Sequence, residues 1–353
     1  MNNTMKKQIT FIGGVGKTDE FGGELTKNKN ILRRLNVAGL KVNVVDTWGG
    51  HHGIGKAAKV SFKFLNAILF HHNDTFIFST AFCNVYRLIQ IMYILPWHYD
   101  IVHWVIGGNF HNRLLSGAYN PKYVAGFKLQ IVEAKGMKKV LEEDCHLNNV
   151  IVKSNFKDIH DLPAINKYND GKIHFLFISR ITREKGVANI IYATSELNKL
   201  GYSDKFIVDF YGSVDPKFKT EFEEGISSNS NLNYCGKIGL LDWNNFSVLA
   251  RYQYMLFPSY WFGEGCPGVV IDSYIAGVPI LGSDWNFNIE YIKNGITGKI
   301  FPTRDNEKLI STMKDAIDGK FNCMEMSADC QKEVIKYDTN VVVDDELIKM
   351  ITK

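Results

Sequence analysis

The sequence predicts an α/β protein of two domains, each a parallel sheet covered by helices. Three observations lead there. Short apolar runs alternate with helix-length segments along the chain, a polar stretch near the middle interrupts them, and the same alternation restarts at Ile173. A length of 353 residues is also too great for one ordinary core. In the first half, apolar runs place strands at 8–12, 42–46, 75–79, 100–106, 129–133 and 149–153. Helices fall between them at 24–38, 56–71, 81–95 and 135–143. Lys157 to Lys172 is polar and weakly patterned, as an interdomain connection would be. The second half opens with the strand Ile173-His-Phe-Leu-Phe-Ile178, followed by strands at 206–211, 232–235, 253–257, 278–281 and 298–301. Its helices are expected at 187–200, 216–225, 242–249, 267–276, 288–293 and 305–318. The domains are therefore set at 1–160 and 161–322, with a helical tail over 323–353. In open sheets of this kind ligands bind beyond the carboxyl ends of the strands, so two sheets facing each other would put a site in the cleft between them.

Composition narrows the class. Hydrophobic residues make up 45% and charged residues 22%, the balance of a soluble globular protein. No signal-peptide order of charged, apolar and small residues opens the chain. The most apolar region, Thr75 to Leu95, holds Asn84, Arg87 and Gln90, which a membrane span would avoid. Cysteines 83, 145, 235, 266, 323 and 330 form no close metal-type pairs and read as reduced thiols of a cytoplasmic protein. The net charge of +4 hides an asymmetry: residues 1–160 carry 20 Lys/Arg against 11 Asp/Glu, and the remainder 21 against 26. Nine of the ten histidines fall in the first 160 residues. Such a basic half suits anionic lipid headgroups or a lipid-pyrophosphate acceptor. Nucleic acid is not indicated, because no dense basic run or reading motif is present.

The chemistry concentrates between residues 258 and 302. Pro258-Ser-Tyr-Trp-Phe-Gly-Glu264-Gly-Cys-Pro-Gly268 reads as a strand end and a glycine-bracketed acidic loop, then a helix opened by Pro267. Proline suits a first helical turn because its missing N–H would have no partner there. Amides at that helix start favour an anionic ligand. Asp272 lies about five helical residues beyond Pro267, so it and Glu264 are expected roughly 8 to 10 Å apart. That separation suits a ligand with hydroxyls at both ends and a diphosphate between. The second domain also opens with Ser179-Arg180 and then Lys185-Gly186, two cations at one strand mouth. The fork of arginine and the point charge of lysine serve phosphate in complementary ways. Surface charges in a loop would be the bland account of that segment taken alone.

Arg180 to Gly186, Gly212 in Phe210-Tyr-Gly-Ser213, Gly236-Lys237-Ile238 and the 258–302 stretch together resemble the retaining glycosyltransferases of family 4. The likeness covers nearly all of 173–320 and implies the GT-B architecture of two Rossmann-like domains. Tyr260-Trp261-Phe262-Gly263-Glu264 is similar to members that assemble bacterial capsule and exopolysaccharide. The resemblance implies that Arg180 and Lys185 bind the donor diphosphate, with Ser179 and Gly212 beside it. Glu264 would bond hydroxyls of the transferred sugar. The backbone of Gly265, Cys266, Pro267 and Gly268 would hold sugar and phosphate, and Gly236, Lys237 and Ile238 would line the base pocket. The ribose-binding glutamate of the family is replaced here by Asp272, one methylene shorter. A UDP- or GDP-sugar donor, a glycan or lipid-linked acceptor and no metal or other cofactor are the corresponding expectations. One tail helix would cross back onto the first domain, as in related enzymes.

The first domain matches less closely. Gly22-Gly23 stands where the family's paired glycines approach the donor, and Gly107-Gly108 would leave room for the transferred sugar. The family's acceptor-side histidine has no clean counterpart, because Ile106 and Gly107 occupy its place; His111, on the following loop, is the candidate for acceptor contact. His103 alternates inside an apolar strand and reads as a core residue. His51-His52 and His71-His72 lack the i, i+4 spacing of a helical metal site. No Asp-x-Asp metal clasp occurs anywhere in the chain. A competing signal is Gly13-Gly-Val-Gly-Lys17-Thr18, which resembles the phosphate loop of partition-type ATPases and offers Lys17 to a nucleotide. Phe11, Ile12 and Asp19 depart from that pattern. A third possibility is a homologue that binds nucleotide-sugar without catalysis.

Overall fold

The computed structural model describes residues 8–17, 22–49 and 54–353. The chain divides into two compact units, one of Met1–Asp158 with Tyr337–Lys353 and the other of Ile159–Lys336. The first contains strands β1 (Ile9–Gly13), β2 (Val42–Asp46), β3 (Thr75–Ser79), β4 (Asp100–Trp104), β5 (Leu129–Val132) and β6 (Val150–Val152). They form a parallel sheet in the order β2-β1-β3-β4-β5-β6. The second contains β7 (Ile173–Ile178), β8 (Phe206–Tyr211), β9 (Leu232–Tyr234), β10 (Tyr254–Phe257), β11 (Ile280–Ser283) and β12 (Gly298–Phe301). Its sheet is also parallel, in the order β12-β11-β10-β7-β8-β9. The strand order reverses between β1 and β3 in one unit and between β7 and β10 in the other. Loops leaving the carboxyl ends of those pairs diverge and open the crevice where such sheets take ligands.

Parallel sheets are covered on both faces, so their strands are continuous apolar runs. β1 and β3 are buried throughout, and so is β10. In the second unit Phe175, Phe177, Val208 and Phe210 meet Val187 and Leu197 of the helix Val187–Lys199 in one core. In the first unit Phe11, Ile77, Val102 and Trp104 build the core on one face of the sheet.

The tail divides. Cys323–Val334 packs within the second unit, where Met326 joins the core. The return to the first unit begins at Tyr337: Lys157 N donates to Tyr337 O at 3.0 Å and Thr339 N to Lys157 O at 2.9 Å. Val343, Leu347 and Ile351 then complete the first unit's core. Arg34 Nε donates to Val343 O at 2.8 Å, and Lys153 pairs with Asp344 at 2.8 Å.

Two of the departures from the sequence reading have local causes. β11 begins at Ile280 rather than Val278, because Val278 N still bonds Ser273 O and Pro279 has no N–H; the ladder starts with Ile280 N to Thr297 O. Pro267 flanks its helix instead of entering it, with an extended ψ of 127°, and the helix is Gly268–Ile275. No helix among the described residues is long and apolar enough to cross a membrane. The six cysteines form no disulfide, and Cys83 and Cys235 are exposed.

Leu347 lies in the tail yet is fully buried in the first unit's core. Leu347→Ala should therefore lower unfolding free energy by about 2–4 kcal/mol, read as a shifted urea midpoint. A shift under about 0.5 kcal/mol would mean that the tail does not complete that core.

Candidate functional site

At the mouth of β7 the chain makes a tight turn that aims a lysine inward. Arg183–Lys185 is a 3-10 turn whose preceding Thr182 hydroxyl accepts from Lys185 N at 3.3 Å. Gly186 closes the turn at φ 77°, and a Cβ there would stand 2.4 Å from the Pro258 carbonyl. Only glycine allows both that conformation and that approach of the β7 and β10 loops. The turn sends Lys185 Nζ to Glu264 Oε2 at 2.5 Å, and both residues are only 6% exposed. Ser259 Oγ donates to the same carboxylate oxygen at 2.6 Å, and Ser283 Oγ holds the Ser259 carbonyl at 2.6 Å. A carboxylate and an ammonium this deep are tolerable only when paired and hydrogen-bonded.

Arg180 is exposed, and its guanidinium lies 5.0 Å from the Trp261 ring centre. Trp285 Nε1 donates to Trp261 O at 2.8 Å, and Asn286 Nδ2 donates to Glu264 O. Arg304 stacks 4.4 Å over Tyr260, whose N–H bonds Glu184 O at 2.8 Å. Ser259, Trp285 and Asn286 escaped the sequence reading; the only signal for Trp285 and Asn286 was the run Asp284-Trp-Asn286 directly after β11, and Ser259 had none of its own. Gly265, Cys266, Pro267 and Asp272 are buried, while Gly268 is half-buried at the helix start.

The remaining expected donor residues line up at the carboxyl ends of β7, β8 and β9. Ser179 N donates to Tyr211 O at 3.1 Å and Gly212 N to Gly236 O at 2.8 Å. A Cβ on Gly212 would fall 1.7 Å from the Ser179 carbonyl, so no other residue fits. Gly236 turns at φ 77°. Beyond it Lys237 is exposed and Ile238 half-buried. Lys185 and Glu264 are thus brought into direct contact, and Arg180 stacks on Trp261.

The first unit's mouth has the opposite electrostatics. Val15 N and Gly16 N donate to the two oxygens of Asp46 at 2.8 and 3.1 Å, and Gly14 N donates to Glu24 at 3.1 Å. Burial raises the Glu24 carboxyl above its ordinary range. In a phosphate loop those amides would face the nucleotide; here carboxylates occupy them. The helix Gly23–Val37 starts well after Lys17, whereas a phosphate-loop helix starts at the lysine. Thr18 and Asp19 lie outside the described residues, as do His51 and His52. The ATPase reading loses its physical basis. Asn28 bridges the strand ends, donating to Gly14 O at 2.8 Å and Ser79 O at 2.9 Å, and Lys27 pairs with Glu133 at 2.7 Å. Gly22 and Gly23 are exposed where that helix begins.

Gly107 turns at φ 87° after β4, and Gly108 leads into the helix Phe110–Leu115. That helix carries His111, which is buried, and burial pushes its imidazole below the ordinary value. His103 on β4 is ringed by Phe82, Phe110 and Phe127. Burial lowers it from 6.5 to about 3, an effect that Gln130 partly offsets. Among the described residues no group of His, Cys, Asp and Glu is placed to hold a metal ion.

Two six-stranded parallel sheets, one with a lysine–glutamate pair at its switch point, define a glycosyltransferase of the GT-B fold. The family model described as "Glycosyl transferases group 1" matches residues 158–337, and the chain belongs to that family. Among solved structures, sucrose-phosphate synthase from Thermosynechococcus elongatus superposes with a TM-score of 0.76 at 12% identity, covering 98% of each chain. The apo lipopolysaccharide outer core galactosyltransferase WaaB gives 0.69 at 12%, over 98% of this chain and 99% of that one. Anabaena Alr3699/HepE in complex with UDP gives 0.69 at 13%, over 98% and 99%. At these identities the likeness is one of fold. No curated protein matches the sequence.

Two outcomes follow. Lys185→Met leaves Glu264 buried without its cation and should cost about 3 kcal/mol of stability. A double-mutant cycle with Glu264→Gln, read by chemical denaturation, should show coupling of at least about 1 kcal/mol; additive effects would mean that the pair is not formed. For His103 the folded value of about 3 lies below the ordinary 6.5, so the unfolded chain binds a proton that the folded chain refuses. Its stabilising effect is complete above pH 6.5 and declines as pH falls toward 3. His103→Leu should flatten the loss of stability between pH 7 and 5, and urea midpoints with an unchanged pH slope would contradict this.

Proposed function

We propose that this glycosyltransferase moves a hexose from a nucleoside diphosphate sugar to a hydroxyl of a glycan or lipid-linked glycan, in bacterial surface polysaccharide assembly at the cytoplasmic side. The observation that carries the reading is the buried Lys185–Glu264 pair at the β7–β10 switch point, flanked by Arg180 and a helix start. A diphosphate arriving there gives Lys185 a second anion and leaves Glu264 free to accept from sugar hydroxyls. Arg180 leaves the Trp261 face or keeps it while its fork reaches phosphate. Amides at Gly268 add the positive end of a helix dipole. Asp272, with Gly236 to Ile238, takes the ribose and base. The HepE structures in complex with UDP and with UDP and glucose, and the galactosyltransferase WaaB, support the same choice of substrate class.

In the reaction the bond from the sugar's anomeric carbon to the phosphate oxygen breaks, and charge grows on the departing nucleotide. Arg180, Lys185 and the helix amides absorb that charge without rearrangement, the usual origin of a large electrostatic effect. The acceptor oxygen bonds the anomeric carbon from the side of the leaving group, so configuration is retained. Its proton passes to the departing phosphate oxygen, and no enzyme carboxylate forms a covalent intermediate. Side-chain cations carry the role that a divalent ion would fill, so turnover should survive EDTA. Gly107, Gly108 and His111 are the acceptor-side residues of this reading.

UDP or GDP should raise the melting temperature, since a ligand at about 100 times its Kd adds about 2.7 kcal/mol. Arg180→Ala should lose most of that shift and cut transfer on the order of 100-fold while melting normally on its own. Silence from every nucleoside diphosphate, or an Arg180→Ala variant as active as the parent, would overturn the assignment.

A further inference from the structure

The helix Ile54–Phe70 is unusual in how little of it is covered. Phe64, Ala67 and Ile68 are buried, while Phe62 is 71%, Leu65 46% and Phe70 73% exposed. Phe62, Leu65 and Leu69 follow i, i+3, i+7 spacing and form one outward stripe. Lys56, Lys59 and Lys63 follow the same spacing and form a second stripe beside it, and all three are exposed. The helix contains no acidic residue.

The helix Phe82–Ile94 continues the surface. Phe64 packs on Phe78 of β3, and Phe82 packs on His103 of β4. Phe78 and His103 are register partners, so both helices cover the same face of the first unit's sheet. Beyond the helices the surface is joined by a His72–Trp97 stack at 5.1 Å and by Tyr99 OH donating to Ile68 O at 3.0 Å. Tyr93 is 57% and Ile94 78% exposed on the second helix, which also carries an exposed Arg87. Next to them a pocket of ≈ 230 Å³ opens between Met92, Trp97, Tyr123 and Phe127, with Lys122 Nζ 4.8 Å from the Tyr123 ring centre. The one acid between Ile54 and His98 is Asp74, which is buried and accepts from Thr10 at 2.8 Å. Residues 54–98 of this face therefore display lysine, arginine and large apolar side chains and no exposed carboxylate; the partly exposed Asp100 lies at its edge, 3.9 Å from His98.

We propose that this face docks on the surface of an anionic lipid bilayer. Phe62, Leu65, Phe70 and Ile94 would enter the boundary between headgroups and acyl chains, and Lys56, Lys59 and Lys63 would meet lipid phosphates. A helix with an apolar stripe, a lysine stripe and too short an apolar run to span is the form that lies in the interface plane. Charge complementarity selects the occupant. A second copy of the chain would set lysine stripe against lysine stripe in a two-fold contact, with no acid to answer it. Nucleic acid would answer the lysines and leave Phe62 and Phe70 without an apolar partner. The inference stands apart from the donor chemistry, which uses none of these residues.

Vesicle flotation of the full chain tests it, with phosphatidylcholine alone and with about 30% phosphatidylglycerol added. The chain should float with the anionic vesicles and remain behind with the neutral ones. Lys56→Glu/Lys59→Glu/Lys63→Glu should weaken anionic binding on the order of 100-fold. Phe62→Ser/Phe70→Ser should also release the chain, in particular at high salt, where the electrostatic part is screened. Both variants change exposed residues and should melt like the parent. Equal partition to the two vesicle types, or unchanged flotation of both variants, would overturn the proposal. So would a dimer in sedimentation that Phe62→Ser/Phe70→Ser disperses, since the face would then be a contact between copies. Nucleotide binding that persists in a variant that no longer floats separates this result from the donor assignment.

Discussion

The ion pair between Lys185 and Glu264 is the constraint around which the second unit is built. Each charge would be untenable at its depth without the other, and they come from loops 79 residues apart. Their meeting requires β7 and β10 to be neighbours, which the strand order supplies. It also requires the β7 loop to pass against Pro258, which only Gly186 permits. Ser259 and Ser283 then fix the carboxylate from below, one through its hydroxyl and the other through the Ser259 carbonyl. A buried pair of this kind contributes little to net stability compared with an apolar replacement. Under the proposed function its presence at a switch point is explained by what it would offer a ligand: an ammonium for phosphate and a carboxylate for hydroxyls, already desolvated and held in place.

The two sheets meet the same topological problem with opposite electrostatics. At the β1–β3 mouth the amides after β1 face Asp46 and Glu24, and Asn28 ties Gly14 to Ser79. An anion would find carboxylates where it needs donors. At the β7–β10 mouth a lysine, an arginine on an indole face and a helix start converge. Two parallel sheets with different strand orders thus each have a switch point, one lined by carboxylates and the other by the cations that the proposed function assigns to phosphate. The glycine-rich run after β1, which suggested a nucleotide loop on spelling alone, serves strand-end closure instead.

Much of this was legible in the sequence, for identifiable reasons. Strands of a parallel sheet are unbroken apolar runs, so β2, β3, β7, β8 and β12 emerged at their observed limits. Phe110–Leu115 and Lys122–Ala125 did not, because six or four residues are too few to display a helical period. The displaced start of β11 depended on a hydrogen bond from Val278 to Ser273 that no local pattern encodes. In the site, Lys185 and Glu264 were recognisable as chemistry, yet their direct contact was not, since spacing along a chain says nothing about which loops abut. Ser259, Trp285 and Asn286 are unremarkable in sequence and become site residues only through those loops. Gly186 and Gly212 stood out as motif members, but the reason for glycine, a carbonyl within 2.4 and 1.7 Å of the missing Cβ, is tertiary.

The basic excess of residues 1–160 acquires a location only in the folded chain. It does not serve the first unit's strand mouth, where Lys27 is consumed by Glu133 and the loop amides by Asp46 and Glu24. Lys153 and Arg34 are spent on the returning tail, through Asp344 and Asp345. Four of the others, Lys56, Lys59, Lys63 and Arg87, stand exposed on the helix Ile54–Phe70 and its neighbour beside large apolar side chains. Exposing Phe62 and Phe70 to water is costly in hydrophobic terms, and packing in the first unit gives no return for it. A surface that is both apolar and cationic is what the proposed docking on an anionic bilayer would use. The charge asymmetry visible in the sequence is thus divided by the fold: some of its cations pair internally and with the returning tail, and one group of them stands on the face formed by these two helices.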